Sequence, residues 1–329
     1  MDEKFFEVKK KHHHVWRSYI KRWSLDGVNA FHTTKTGKIA KHGILGIGMD
    51  LHFYKLTCLS EFDVQLIKMA SKKSAPDQHE LHMSYLSDFL LFQTVSDLYS
   101  EIGRHHPEAD RSIQALESKM MENLHSSHEN SVLPIFECLA AGGLEVLNEN
   151  ANVLEFLSFV GHQFSRTKAF KEKALASLNR STPDFLRVAQ SMENSWWFIS
   201  YMLGMNLGRE LYLNRTGYTH SLLQSDGEVE FITSDQPVIN IHEQVWRAEY
   251  KTAEHVDFYY PISPTYAFVA AESGKFGGGL VVVGKQIVNE LNAKLAIRAA
   301  STIIGSSPQS IQPLLNLVGK DKTNIGCIY

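Results

Sequence analysis

The chain of 329 residues carries a net charge of −3, with 43% hydrophobic and 21% charged residues. This balance excludes a largely disordered chain and predicts a globular protein, which we treat as one domain over residues 1–329. The three cysteines, Cys58, Cys138 and Cys327, are odd in number and far apart, which argues against a disulfide scaffold or a cysteine zinc site. Their usage favours a reducing cytoplasm.

Residues 1–60 are predicted to form an N-terminal arm and a hairpin, and they open with a histidine cluster inside the basic, aromatic stretch Lys11–Trp23. Histidine ligates metals and exchanges protons near neutral pH, so the cluster is a candidate for chemistry. Residues 1–41 carry ten lysines and arginines against four acidic residues, with aromatic side chains interleaved. Such an arm suits a phosphate-bearing partner whose bases stack on the aromatic rings. The alternative is a solvated helix face with its aromatic side chains in the core, the more usual meaning of a charge run.

The second region, residues 61–213, repeats apolar side chains at helical spacing. Breaks between its helices are expected at Pro76, Pro107, Pro134, Gly142-Gly143 and Pro183. Its most apolar stretch, Ser195 to Leu213, contains an asparagine, an arginine and a glutamate. We therefore interpret that stretch as a buried helix and expect no membrane span.

The third region, residues 225–329, is rich in strands and ends in a helix. Short β-like runs occur at 229–233, 238–241, 258–262, 266–271 and 280–283, and a helix is predicted at 287–304. Strands and helices do not alternate regularly, which argues against a doubly wound sheet. We predict an α+β fold with a helical middle and a mostly antiparallel sheet from the C-terminal third, joined by the N-terminal segment. A hairpin turn at residues 33–38 contributes to that segment.

Two short motifs place polar side chains where they could act on a substrate. In the first, a strand runs into Ser234-Asp235 before a proline, which presents Asp235 at a strand end or merely forms a local turn. In the second, Gln163 and Arg166 lie on one face of a predicted helix, where the arginine could hold a phosphate or pair with a structural acid.

Three further histidine pairs occur, at His79 and His82, His105 and His106, and His125 and His128. A spacing of three residues on a helix can chelate a metal. No cysteine partner and no His-Glu-x-x-His motif accompanies these pairs, and surface placement is the default for such positions.

Taken in order, these motifs resemble those of a prokaryotic family, domain of unknown function 4238. Lys11–Trp23 is similar to the Lys-His-His-Tyr-Val-Pro opening of its members and the aromatic, basic stretch that follows. Further similar segments are Lys35–Lys38, Phe53-Tyr54, Gln163–Thr167, Ile232–Val238, Pro261–Pro264 and Asn292. The resemblance spans nearly the whole chain. It implies which residues belong to the family pattern, and it does not imply a reaction.

The chain departs from the family pattern at three positions. His14 stands where the family usually has Tyr, Trp16 where it has Pro, and Gln236 where it has Asn. His12, His13 and Asp235 are retained, so the polar centre of the pattern is preserved while the entry turn differs.

The matched polar residues come from distant segments, and we expect them to converge on one site. We assign His12, His13 and Asp235 as catalytic, with Gln163, Arg166, Asn292 and Lys11 as substrate-binding residues. The leading hypothesis is an intracellular hydrolase of nucleic acid or a nucleotide. A divalent metal cofactor is compatible with this set of residues. The style of the family suggests a toxin-like or phage-defence setting.

A second hypothesis remains open. The same residues could form a buried polar network that ties the N-terminal arm to the sheet, in a non-catalytic binding or assembly module with a protein partner. An open, water-filled cleft would favour the enzyme. Full burial with every donor paired would favour the module.

Overall fold

The computed structural model describes residues 6–103, 105–243 and 255–320. The chain begins with short elements: β1 (Lys11–His13), α1 (Arg17–Ile20), β2 (Asn29–Thr33), β3 (Ile39–Gly43) and β4 (Met49–Leu51). The predicted hairpin is confirmed, because β2 and β3 pair in antiparallel fashion with Thr33 opposite Ile39. Cys327 lies outside the described residues.

The helical middle spans the range predicted from the sequence. Its helices are α2 (Glu61–Ser71), α3 (Pro76–Ile102), α4 (Pro107–Ala140), α5 (Asn150–Ser165), α6 (Lys168–Ala176), α7 (Pro183–Asn194) and α8 (Trp196–Leu213). Ser60 and Asp63 form a reciprocal capping box that fixes the start of α2. Three of the predicted break-point prolines stand at the first position of a helix, where a missing N–H costs nothing.

The predicted break at Pro134 is wrong, because α4 continues through this residue. A proline inside a helix lacks the N–H and crowds the preceding turn, at a cost of about 3 kcal/mol. The following turn buries Ile135, Phe136 and Leu139 almost completely. Burying one such side chain contributes about 1.5–3 kcal/mol, so together they outweigh the penalty.

The strand-rich region contributes β5 (Thr219–Ser225), β6 (Thr233–Ser234), β7 (Ile239–Asn240), β8 (Asp257–Pro261), β9 (Tyr266–Ala271), β10 (Gly279–Val283), α9 (Lys285–Arg298), β11 (Ile303–Gly305) and α10 (Pro308–Ile311). One sheet has the order β10-β5-β9-β8-β7, and all its pairs except β10-β5 are antiparallel. A second, antiparallel sheet has the order β3-β2-β11-β6 and joins the N-terminal hairpin to the C-terminal strands. The predicted α+β class, with a helical middle and a mostly antiparallel sheet, is confirmed.

Three predictions in this region differ from the structure. Of the strand predicted at 229–233, only residue 233 lies in a strand, β6. The final helix ends at Arg298 rather than at residue 304, because the N–H groups of residues 300–302 donate to the Asp235 carboxylate instead of continuing the helix. Strand β5 was not predicted, since its apolar Leu222 and Leu223 are flanked by polar residues that weaken the strand pattern.

The aromatic residues of the N-terminal arm lie in the core. Trp16, Tyr19 and Trp23 are buried, and the Tyr19 hydroxyl lies 2.6 Å from Thr233 Oγ1. The Trp23 indole N–H donates to the Phe231 carbonyl over 2.8 Å. These hydrogen bonds connect the N-terminal arm to the strand-rich region. The interpretation in which they stack on nucleic-acid bases is therefore wrong, and the alternative, a core position, is confirmed.

Helices α5 and α8 approach each other closely through glycines. A Cβ atom added to Gly161 would lie 2.5 Å from Gly204 O and from Gly208 N. The first two turns of α8 are almost entirely buried, as the sequence predicted. Among the described residues, no helix is long and apolar enough to cross a membrane. The close packing places the C-terminal end of α5, which carries Gln163 and Arg166, in the interior.

Candidate functional site

His12 is a fully buried anchor of the N-terminal strand. Its Nδ1 accepts a 2.7 Å hydrogen bond from the Tyr54 N–H, and its Nε2 lies 3.0 Å from the Lys9 carbonyl. This pattern requires the neutral ring with the proton on Nε2, and burial lowers the pKa of His12 accordingly. Both ring nitrogens are thus engaged with backbone, Nδ1 with Tyr54 and Nε2 with Lys9.

His13 alternates with His12 along β1 and is half-buried. Its Nε2 is buried and has no hydrogen-bond partner among the described residues. Burial lowers the pKa of His13, the nearby Glu122 carboxylate opposes this, and the cations of Arg17 and Lys9 add to the lowering. Glu122 itself uses Oε1 in a 2.8 Å ion pair with Lys9, while its buried Oε2 has no partner in the part of the chain that the structure describes. A neutral imidazole with a free nitrogen therefore lies near a carboxylate at the edge of the interior.

His14 is buried on the inner side of the same segment. Burial lowers the pKa of His14 to about 4, although the Asp50 carboxylate, 3.9 Å from its Nε2, opposes the shift. Lys168 pairs with the same carboxylate over 3.0 Å. His14 is therefore neutral at pH 7, and its buried Nδ1 has no partner within the described ranges.

Arg166 is buried and forms an ion pair with Glu129, whose side chain is 16% exposed. Its Nη1 lies 2.8 Å from Glu129 Oε1, and its Nη2 donates to Gln163 Oε1 over 2.8 Å. Burial opposes the charge, but Glu129 and Tyr54 raise the pKa of Arg166 above its ordinary value. Gln163 also donates to the His14 carbonyl over 3.2 Å. The predicted Gln163 and Arg166 thus meet the N-terminal histidine segment.

Three further histidines lie beside this ion pair on α4 and α5. The ring of His128 stacks on that of His162 at 4.4 Å, and its Nε2 lies 3.0 Å from the Tyr201 hydroxyl. The His125 ring centroid is 6.1 Å from that of His162. Among the residues that the structure describes, neither nitrogen of His125 has a hydrogen-bond partner, and Nδ1 of His162 has none. Burial lowers the pKa of His125 and His162 far below the ordinary value, and that of His128 to about 4.

These side chains form one polar centre, which we call the histidine group: His12, His13, His14, His125, His128 and His162. Buried polar atoms in native proteins are nearly always paired with protein or ordered water. An unpaired buried nitrogen costs about 1–3 kcal/mol, so polar occupants such as water or a polar ligand would stabilise the group. The neutral rings can accept protons or hydrogen bonds from those occupants.

Within the described ranges, no three His, Cys, Asp or Glu side chains are grouped so that they could hold a metal ion. A divalent metal remains a prediction from the sequence.

Asp235 lies in a separate setting, directly after β6. Its buried carboxylate accepts hydrogen bonds of 2.8–2.9 Å from the N–H groups of Ala300, Ser301 and Thr302. Burial raises the pKa of Asp235, and these hydrogen bonds oppose the shift. In the part of the chain that the structure describes, no hydrogen bond or ion pair joins Asp235 to the histidine group. Its catalytic role remains a prediction.

The turn that carries Asp235 nevertheless reaches the neighbourhood of Arg166. Gln236 Oε1 accepts a hydrogen bond from the hydroxyl of Thr167, the residue after Arg166. The Gln236 amide also donates to the Val238 carbonyl over 3.0 Å. The turn therefore docks onto the end of α5, next to the site, although the carboxylate itself is engaged with backbone.

Asn292 and Lys11, the other predicted substrate-binding residues, lie elsewhere. Asn292 accepts from the Ile232 N–H over 3.1 Å and donates to the Glu230 carbonyl over 2.8 Å, so it satisfies backbone groups of the segment before β6. Lys11 is exposed on β1. Neither is hydrogen-bonded to Arg166 in the described structure, and their substrate-binding roles remain predictions.

Sequence reasoning missed most of the interior part of the site. It treated His125 and His128 as surface positions and did not single out Glu122, Glu129 or His162. A usable signal was present, because residues 122, 125 and 129 recur at helical spacing with His128 beside them. When charged and titratable side chains share one face of a long helix with apolar residues, that face is expected to be buried and polar.

Comparison with known proteins identifies the family and no individual relative. The family model described as protein of unknown function (DUF4238) matches residues 11–309. No match is found among the curated proteins, and none among the solved structures. The matched range contains the whole histidine group, Arg166 and Asp235. The chain therefore belongs to the DUF4238 family.

Proposed function

We propose that the protein is a hydrolase of a nucleotide or nucleic acid, in which His13 accepts the proton of the attacking water. The observation that supports this most directly is the free, buried Nε2 of a half-exposed histidine near an acidic side chain. General-base catalysis requires an unprotonated nitrogen within hydrogen-bond reach of the attacking water, so the buried Nε2 must become accessible to that water when substrate binds. Burial lowers the pKa of His13, so the ring is unprotonated at neutral pH.

The charges around His13 favour an anionic substrate. Arg17, Lys9 and Arg166 all act on the His13 ring as positive charges. Lys9 and Arg166 are neutralised by Glu122 and Glu129, respectively, whereas Arg17 is exposed at the edge of the site. Arg17 is therefore the cation best placed to contact a phosphate, since its guanidinium can bind two oxygens at once.

The interior histidines support the same proposal in a different way. His14 and His125 have pKa values well below 7, so they add polar atoms without adding charge. Neutral imidazoles behind His13 can relay hydrogen bonds through bound water and hold a reacting water in place. Asp235 and Asn292 would then act by positioning the turn beside Arg166 and not by touching substrate.

For the setting, we propose the cytoplasm of a prokaryotic cell. Cys58 and Cys138 are free thiols, which supports a reducing compartment. The prokaryotic assignment and a toxin-like or phage-defence role come from the style of the family alone.

A substrate panel with matched variants tests the hydrolase proposal. Wild-type protein is incubated with single-stranded RNA, single-stranded DNA, duplex DNA and ATP, each with EDTA, Mg²⁺ or Mn²⁺, and the products are separated chromatographically. For any substrate that is cleaved, His13→Ala is expected to lower the rate by about 10²–10⁴-fold. The control His105→Ala removes an imidazole that is 78% exposed and remote from the group, and it should leave the rate unchanged.

Two results would contradict the proposal. Cleavage of none of the substrates with any addition would argue against hydrolysis of this substrate class. Equal cleavage by wild type and His13→Ala would remove His13 from the mechanism. Circular dichroism and thermal melts of each variant distinguish a lost function from a lost fold.

A second candidate is a non-catalytic binding or assembly module. The observation that favours it is the pairing of several matched residues: His12, Gln163, Asp235 and Asn292 each make at least two hydrogen bonds to backbone or buried side chains. A network of this kind specifies one packing arrangement without any chemistry. If the protein is such a module, His13→Ala is expected to change stability or partner binding, and no substrate in the panel is cleaved.

A further inference from the structure

Four large apolar side chains lie in one row on the outer face of α3. We call them the α3 stripe: Leu91, Val95, Leu98 and Ile102. Each is between 54% and 66% exposed. The residues that α3 buries, His82, Leu86 and Phe89, face the opposite way. The stripe is therefore not part of the core.

The spacing of the stripe is that of a helix–helix seam. Successive members are four, three and four residues apart, which repeats the alternation of core positions in a coiled coil. At about 1.5 Å per residue the row is about 17 Å long. Single exposed apolar residues need no explanation, but a continuous row marks a surface that another molecule covers.

The charge of α3 distinguishes between possible occupants. Its 27 residues include five acidic side chains and no lysine or arginine. Asp88 and Glu101 are exposed beside the stripe, and no ion pair within the described residues involves either of them. Asp77, nearer the start of the helix, is already paired with Arg209 over 3.0 Å.

We propose that the α3 stripe binds an amphipathic helix of a partner protein whose apolar row is flanked by lysines or arginines. A second copy of this chain would bring the same uncompensated acids against Asp88 and Glu101, and like charges beside a helix seam oppose pairing. An anionic membrane surface would be repelled for the same reason. An amphipathic helix with basic side chains would pack its apolar row against the stripe and pair its cations with the acidic side chains beside it. This interaction is independent of the proposed hydrolysis.

Synthetic helical peptides provide the direct test. One fluorescently labelled peptide of about 20 residues carries leucine at the seam positions and lysine beside them, and a second carries glutamate in place of lysine. Anisotropy titrations measure binding of each peptide to the full chain. We expect the lysine peptide to bind at least about tenfold more tightly than the glutamate peptide, the scale of an interface charge effect.

Matched variants connect that binding to the stripe. Leu91→Gln with Leu98→Gln should weaken binding of the lysine peptide by about tenfold or more, as for central interface residues. The control Val28→Gln with Leu213→Gln replaces side chains that are 60% and 50% exposed elsewhere, and it should bind as the wild type does. Asp88→Lys with Glu101→Lys should reverse the preference in favour of the glutamate peptide.

Several outcomes would overturn the proposal. One is equal binding of the two peptides, and another is equal binding by the Leu91/Leu98 variant and its control. A dimer in light scattering that dissociates in the Leu91/Leu98 variant would identify a second copy as the occupant. Binding to phosphatidylglycerol vesicles that the same variant abolishes would identify a membrane.

Discussion

Removing the acidic partner of Arg166 should destabilise the protein strongly. The guanidinium and the Glu129 carboxylate are 2.8 Å apart, and the Arg166 side chain is only 2% exposed. At an effective dielectric constant of about 20, Coulomb's law gives about 6 kcal/mol for such a pair. Glu129→Gln keeps the side-chain size but leaves the arginine charge uncompensated, because arginine does not lose its proton in proteins.

We expect Glu129→Gln to lower the free energy of unfolding by about 3–5 kcal/mol, the cost of breaking a buried pair from one side. This is less than the Coulomb value because the glutamine oxygen can still accept a hydrogen bond. Urea denaturation followed by circular dichroism measures the change, with the slope of the transition as a check on two-state behaviour.

The matched control is Glu137→Gln. Glu137 pairs with Arg22 at a similar distance of 3.0 Å, but its side chain is 66% exposed. Exposed pairs contribute about 0–1 kcal/mol, so this variant should be nearly neutral. Similar losses in the two variants, or a loss below about 1 kcal/mol for Glu129→Gln, would refute a buried charged pair at the centre of the site.

Three further predictions concern packing, pH and salt. Gly208→Ala should destabilise the fold by about 1–3 kcal/mol or prevent folding, because the added Cβ would lie 2.7 Å from the backbone of α5. In the control Gly217→Ala the added Cβ meets nothing within 4 Å, so thermal melts should show no loss of stability. Burial lowers the pKa of His14 and of His128 to about 4, so below pH 6.5 the unfolded chain binds more protons than the folded one. The free energy of unfolding should therefore fall as the pH drops from 6.5 towards 4, by up to about 3 kcal/mol per histidine. A free energy of unfolding that stays constant over that pH range would contradict the lowered pKa values. If the N-terminal arm binds duplex DNA, the slope of log K against log salt should not be steeper than about −5.4, since each neutralised phosphate contributes about −0.9, and a much steeper slope would place the contacts elsewhere. That limit counts the exposed cations of residues 6–41 without an ion pair in the described structure: Lys10, Lys11, Arg17, Lys21, Lys35 and Lys38.

The sequence predicted the architecture where local chemistry determines it. The helical region begins at Glu61 because Ser60 caps it, and Pro76, Pro107 and Pro183 open helices as their fixed backbone angle allows. Pro134 was misjudged because the decisive factor, burial of the next turn, depends on tertiary contacts that local reasoning does not contain.

The site was predicted in part for a related reason. Gln163 and Arg166 meet the N-terminal histidine segment, because Gln163 is hydrogen-bonded both to Arg166 and to the His14 carbonyl. Asp235 was expected to join them, but its carboxylate binds the amides of residues 300–302. A sequence shows that a carboxylate is present and does not show whether side chains or backbone will surround it.

The pH dependence of catalysis by His13 tests the central claim most directly. On a substrate identified in the panel, kcat/KM should be constant near neutral pH and fall at acid pH, because protonation of His13 removes the base. Burial lowers the pKa of His13, so the midpoint of the fall should lie below 6.5. In His13→Ala the residual rate should lose this inflection, while His105→Ala keeps it. An inflection that persists unchanged in His13→Ala would contradict the account.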